Sequence, residues 1–145
     1  MKDKSDLRKA LVAVELLRKE QLRPLFIDLG LTLGQGQPRI LESLLREDDV
    51  AQKELADDCR LDVTTLSRTL DHMEKAGLLL RQRAPECRRS RRIVLTDKGR
   101  ETAGRVHAIF AEMDERLCGA LTPEEADTLV TALHKMEARL ESDPM

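Results

Sequence analysis

The stretch from Ala51 to Gly77 constrains this chain more than any other. Gln52 to Asp58 reads as a short helix, Cys59, Arg60 and Leu61 as a tight connection, and a second helix opens at Asp62. The Asp62 carboxylate suits an N-cap, because it accepts hydrogen bonds from first-turn amides that have no partner within the helix. Leu66, Leu70 and Met73 recur at i, i+4 and i+7 and therefore share one face, turned to a core, and Gly77 is a natural C-terminal stop. With about 100° per residue, Thr64, Arg68, Asp71 and Lys75 then point away from that core. Thr65 and His72 lie on one flank of the polar face and Ser67 on the other, so helix, turn and helix present Thr, Ser and Arg to a ligand.

The residues after Gly77 extend this unit. Leu78 to Arg83 and Arg91 to Thr96 read as two short strands separated by Ala84 to Ser90, which predicts a hairpin with a long basic tip. Arg81 to Arg92 holds six arginines against the single Glu86, the density expected where a loop meets phosphates, although a solvated charge run gives the same pattern. Net charge hides this: the chain totals -2, yet residues 51–100 carry 12 Lys and Arg against 8 Asp and Glu, whereas residues 101–145 carry 4 against 10.

Flanking segments read as helices. Asp6 to Leu29 places Leu7, Leu11, Val14, Leu17 or Arg18, Leu22 and Leu25 at three- and four-residue spacings, with Pro24 as a kink candidate. Gly30 to Gln37 suits an interhelical turn, followed by Pro38 in the first turn of a helix ending near Arg46, with Ile40, Leu41, Leu44 and Leu45 as its apolar face. Thr96-Asp97 starts a long helix to about Leu121 with a Val106, Phe110, Met113 and Leu117 stripe. Thr122-Pro123-Glu124-Glu125 combines a cap, an N1 proline and a capping-box glutamate, and Leu129, Leu133, Met136 and Leu140 form a seam for a partner helix. The expected fold is mainly α with a small two- to three-stranded β wing.

With 145 residues the chain suits one domain, and 1% aromatic content favours helix over sheet. The N-terminus lacks the apolar stretch of a signal peptide and no later run approaches a membrane span, so a cytoplasmic protein without membrane contact is expected. Cys59, Cys87 and Cys118, like His72, His107 and His134, are too scattered for a disulfide framework or a metal site, and no cofactor is expected. No activated nucleophile or phosphate-cradling glycine loop is present, and Asp57-Asp58 and Glu124-Glu125 read as solvated or capping acids; an enzyme is not expected.

The order of these elements and the residues in them resemble the multiple-antibiotic-resistance regulator (MarR) family over nearly the whole chain. Gly30-Leu31-Thr32 with Gln37-Pro38-Arg39-Ile40-Leu41 is similar to the family's second helix and its approach, and Gln52 to Ala56 to its third helix. Asp62 to Arg68, continuing through Met73-Glu74-Lys75-Ala76-Gly77-Leu78, resembles the recognition helix and its exit. Pro85 to Arg89 and Val94 to Arg100 resemble the wing and the start of the fifth helix. The resemblance implies a winged helix-turn-helix, a single family domain over 1–145 in which 1–29 and 101–145 supply dimerisation helices and 30–100 the DNA-binding lobe, with recognition helix 62–76 and wing 78–96. It further implies a homodimer on double-stranded DNA, acting as a transcription regulator and more often as a repressor, on a pseudo-palindromic operator with half-sites about 34–36 Å apart.

Carried over residue by residue, the resemblance makes Thr64, Thr65, Ser67, Arg68 and His72 the groove contacts, and Arg88, Arg89 and Arg91 the wing contacts. Arg68 is the foremost base reader, because a guanidinium pairs bidentately with guanine. Where the family commonly has aspartates this chain has Ala84 and Cys87, so the usual salt-bridge brace of the wing arginines is missing unless Glu86 stands in. Cys87, between Glu86 and Arg88-Arg89, is a candidate for oxidant sensing. A small-molecule effector is also implied, in a crevice to which Leu29, Leu31, Ile109 and Met113 are candidate contributors, although each also reads as plain core. Cys59 and Cys118 read as packed small hydrophobes. The competing reading is a winged helix used for protein contact, against which the density of arginines argues.

Overall fold

The structure is a computed structural model that describes residues 1–32, 36–84 and 87–145, with side chains described for all of these but 84 and 87–90. The described elements run α1 (Ser5–Asp28), α2 (Gln37–Arg46), β1 (Val50–Ala51), α3 (Gln52–Cys59), α4 (Val63–Lys75), β2 (Leu79–Ala84), β3 (Cys87–Leu95), α5 (Asp97–Gly119) and α6 (Pro123–Ser142). The chain divides into two compact units, Met1–Ile109 and Phe110–Met145, with the boundary inside α5.

In the first unit the apolar faces read from the sequence form the core. Ile40, Leu41 and Leu44 of α2, Leu55 of α3 and Leu66, Leu70 and Met73 of α4 are buried, joined by Leu79 and Ile93 from the strands. Pro38 occupies the first turn of α2, where its missing amide leaves no hydrogen bond unmade. Three antiparallel strands lie in the order β1-β3-β2, with Val50 opposite Ile93 and Leu79 opposite Leu95. β1 was invisible to pattern reading because two residues are too few to alternate.

The hairpin differs from expectation. Its strands reach Ala84 on one side and start at Cys87 on the other, so residues read as a seven-residue tip are largely strand. The apolar alternation stops near Arg83, but the backbone pairing continues, since exposed arginines do not interrupt a ladder. Between the pairs Arg83–Arg91 and Ala84–Cys87 the register shifts, leaving Arg88, Arg89 and Ser90 as extra residues on β3. Pro85 and Glu86, like Leu33, Gly34 and Gln35 of the expected turn before α2, lie outside the described residues.

α1 departs from its expected stripe. Only Leu22 and Phe26 are buried, and Leu7, Leu11, Val14, Leu17 and Leu25 are exposed. In the second unit Phe110 and Met113 are buried and Leu117 is exposed. α6 is capped as read: Thr122 Oγ1 accepts from the Glu125 amide at 3.1 Å, and the Glu125 carboxylate accepts from the Thr122 amide at 3.0 Å. No α6 residue is buried, and Leu129, Val130 and Leu140 are at least 47% exposed. Cys59 is buried as expected, but Cys118 is exposed, as is its neighbour Leu117, since the buried part of the α5 stripe ends at Met113. Among the described residues no helix is long and apolar enough to cross a membrane.

Candidate nucleic-acid interface

Local chemistry fixes α4 at both ends. At its start the Asp62 carboxylate accepts from the Thr65 amide at 2.8 Å and from the Thr65 hydroxyl at 2.7 Å, and these bonds hold the carboxyl below its ordinary range. At its end Gly77 adopts φ +79°, in the left-handed region that glycine enters without steric cost, and the Leu78 amide donates back to Met73 O at 3.0 Å. Residues from the start of α5 complete that exit: Lys98 Nζ donates to Ala76 O at 2.8 Å and the Thr96 hydroxyl to Gly77 O at 2.6 Å. The turn before α4 uses Arg60 at φ 51°, and Arg39 Nη1 donates to Cys59 O at 2.8 Å, so the α3 C-terminus is also capped.

On this pinned helix Thr64, Arg68, Asp71, His72 and Lys75 are exposed, and Thr65 and Ser67 are half-buried. Arg68 makes no ion pair among the described residues. The Thr65 hydroxyl proton is committed to Asp62, which leaves that side chain its methyl group and acceptor lone pairs for a ligand. Thr69, beneath it, is fully buried and donates to Thr65 O at 2.9 Å.

The six hairpin arginines fall into different groups, a division the sequence did not reveal. Arg81, with its side chain 13% exposed, points inward and bridges Asp71 and Glu74 of α4, the latter at 3.1 Å. Its amide donates to the other Glu74 oxygen at 3.1 Å, and amide and guanidinium together hold the Glu74 carboxyl below its ordinary range. Arg92 is likewise engaged: its Nε donates to Asp49 Oδ1 at 3.0 Å, and a second nitrogen donates to the Asp49 carbonyl. Neighbouring Asp48 accepts from the Leu95 amide at 3.0 Å and pairs with Arg100 at 2.8 Å. Burial pushes the Asp48 carboxyl up, but the Leu95 and Asp49 amides and Arg100 outweigh it and hold the group below its ordinary value.

Arg81 and Arg92 are therefore engaged by carboxylates within the fold, and Asp49 braces the hairpin at its base. Arg83 and Arg91 are exposed and make no ion pair among the described residues. Arg88, Arg89 and Cys87 lie on β3 beyond Arg91; their side chains are outside the described set, as is Glu86. The structure thus brings Thr64 and Arg68, with half-buried Ser67 beside them, onto one helix face and puts Arg91 on the hairpin stem. Asp48 and Asp49 were missed because their partners Arg92, Leu95 and Arg100 lie far along the chain.

Arg81→Met keeps much of the side-chain volume and removes the bridge between α4 and β2. The expected cost is about 2 kcal/mol, the order of a charge-assisted bond pair lost from a partly buried site. Urea unfolding of wild type and variant checks this.

An open cavity of about 420 Å³ lies against the second half of α4, lined by Gly30, Thr32 and Gln37 on one side and His72, Met73, Ala76 and Leu78 on the other. Gln37 is 7% exposed, and its Oε1 accepts from the Thr32 amide at 3.3 Å.

Comparison with known proteins gives a family-model match, MarR family, over residues 33–91, which spans α2 through most of the hairpin. The chain is similar to the solved structure of AbsC, a MarR family transcriptional regulator from Streptomyces coelicolor: TM-score 0.85, 25% identity, 99% of this chain and 97% of that one. It is also similar to a MarR transcriptional regulator from Methanosarcina mazei Go1, with TM-score 0.79, 27% identity and coverage of 97% and 100%. A third similar structure is the transcriptional repressor CouR bound to a 23-mer DNA duplex, at TM-score 0.76 and 29% identity, covering 88% of this chain and 89% of that one.

Proposed function

Because this chain is a member of the MarR family of transcription regulators, we propose that it acts in the cytoplasm as a homodimer that binds a pseudo-palindromic operator and represses transcription. The observation that carries the reading is Arg68, exposed and without an ion pair among the described residues, on a helix whose two ends are fixed by Asp62 and by Thr96 and Lys98. Such a helix presents a guanidinium to base edges without first ordering itself, which lowers the entropic cost of binding. Thr64 and Ser67 flank it as further contacts, and His72 stands one turn further along. Arg91, with Arg88 and Arg89, meets the backbone or minor groove from the wing.

Homodimerisation is supported by the exposed leucines and valines of α1 and α6, which an isolated chain leaves in water. Residues 1–29 and 101–145 would supply this interface, and 30–100 the DNA-binding lobe. The cavity beside His72 and Gln37 is the candidate effector site; it abuts α4, so occupancy would act by favouring one placement of the recognition helix over another. Of the residues named from sequence for this role, Leu31 and Met113 are buried core and none of the four lines the cavity. Oxidation at Cys87 is the alternative trigger. No catalytic step forms part of this role.

Footprinting on DNA upstream of the protein's own coding sequence tests the proposal. The expected result is two protected half-sites about one helical turn apart. Protection of a single half-site, or none by a folded dimer, contradicts it.

A further inference from the structure

The geometry points to Arg83 and Arg91 as a two-arginine clamp for a single DNA phosphate on the stem of the wing; this rests on the DNA-binding reading above and adds Arg83 to it. Three successive cross-strand pairs of the hairpin, Leu79–Leu95, Arg81–Ile93 and Arg83–Arg91, are spaced two residues apart on each strand and so share one face of the sheet. At the base of that face Leu79, Leu95 and Ile93 are buried, and one step further out Arg81 turns onto Asp71 and Glu74 of α4. The face therefore looks toward the recognition helix, and Arg83 and Arg91 are its next pair outward, both exposed.

Two like charges directly opposite each other on neighbouring strands destabilise the pairing. Among the described residues no carboxylate offsets this one: neither arginine has an ion pair there, and the nearby α4 carboxylates Asp71 and Glu74 are taken by Arg81. The pair also adjoins the register shift between Arg83 and Ala84, an irregularity of the kind that re-aims side chains. A cross-strand arginine pair with no carboxylate partner among the described residues is a site for an anion held by both guanidinia, and phosphate matches their planar donor geometry.

Position identifies which phosphate. With α4 in a major groove and the wing against the adjoining minor groove, one phosphodiester ridge separates the two. That ridge must cross the face between them, where Arg83 and Arg91 stand. Arg81 holds the stem at the distance from α4 that admits the ridge, and the paired arginines grip it whatever the sequence.

The test uses the full-length protein, as wild type, Arg83→Gln, Arg91→Gln and the double variant, on a duplex of arbitrary sequence across a salt series. Each single variant should lose about 1.8 from the magnitude of the slope of log K against log salt, about 0.9 for one phosphate contact in each lobe of the dimer. The double variant should lose no more than either single one, because both arginines share that phosphate. Melting temperatures of the free variants should equal or exceed that of wild type, since a repulsion has been removed. Unchanged slopes, a double variant losing about twice the single effect, or melting points that fall along with binding would each overturn the clamp while leaving DNA binding intact. Wild type that binds no duplex at any salt overturns the DNA-binding reading and the clamp with it.

Discussion

Gly99→Ala is expected to destabilise the first unit by about 3 kcal/mol or more, beyond the usual cost of overpacking a core. A Cβ built at Gly99 would lie 1.8 Å from Leu78 O and 2.8 Å from Leu78 C, and both are backbone atoms that cannot rotate aside. The carbonyl in its way accepts the Thr96 amide at 3.1 Å, and the Gly99 amide itself donates to the Thr96 hydroxyl at 3.0 Å. Accommodating one methyl group thus breaks the junction at which the exit of α4 meets the start of α5. Gly104, in the same helix, is the control: a Cβ there meets nothing within 4 Å, so Gly104→Ala should stabilise by about 0.5–1 kcal/mol through helix propensity. Thermal and urea unfolding of the two variants beside wild type give the comparison, and equal stability of Gly99→Ala and wild type would contradict the packing described.

Arg68→Ala carries the largest expected effect on binding. A bidentate arginine–guanine contact contributes about 1–3 kcal/mol of discrimination, and a dimer makes it twice, so operator affinity should fall about 30-fold or more. The melting temperature should not move, because Arg68 is exposed and makes no ion pair among the described residues. Arg68→Lys should recover charge but little affinity, as a lysine offers no planar donor fork. A variant that binds operator and scrambled duplex with wild-type affinities would remove Arg68 from the recognition surface.

Periodicity made the helices legible, and local chemistry their ends. Leu66, Leu70 and Met73 are spaced for one helical face and are all buried; Asp62 and Thr122 were read as caps and are caps. Two kinds of feature escaped. Which apolar stripes the chain itself covers is one: Leu7 and Leu11 are spaced like the buried Leu22 and stand exposed in the single chain. Charge pairing escaped more completely, since Arg92 meets Asp49 across 43 residues of chain and nothing in spacing announces it. For the same reason Arg81 and Arg83, two residues apart and identical in type, could not be told apart: the first faces the α4 carboxylates and the second solvent. The missing aspartate at position 87 bears on the tip, whose side chains lie outside the described residues, while at the base of the hairpin Asp49 pairs with Arg92.

Equilibrium binding of the purified protein to duplex from its own promoter region and to a scrambled duplex of equal length, across a salt series, tests the central claim most directly. A sequence-specific winged helix-turn-helix regulator should bind both with a steep salt slope and favour the promoter by about 10³-fold or more at physiological salt. Equal affinity for the two duplexes, or no binding to either by a folded dimer, would contradict it.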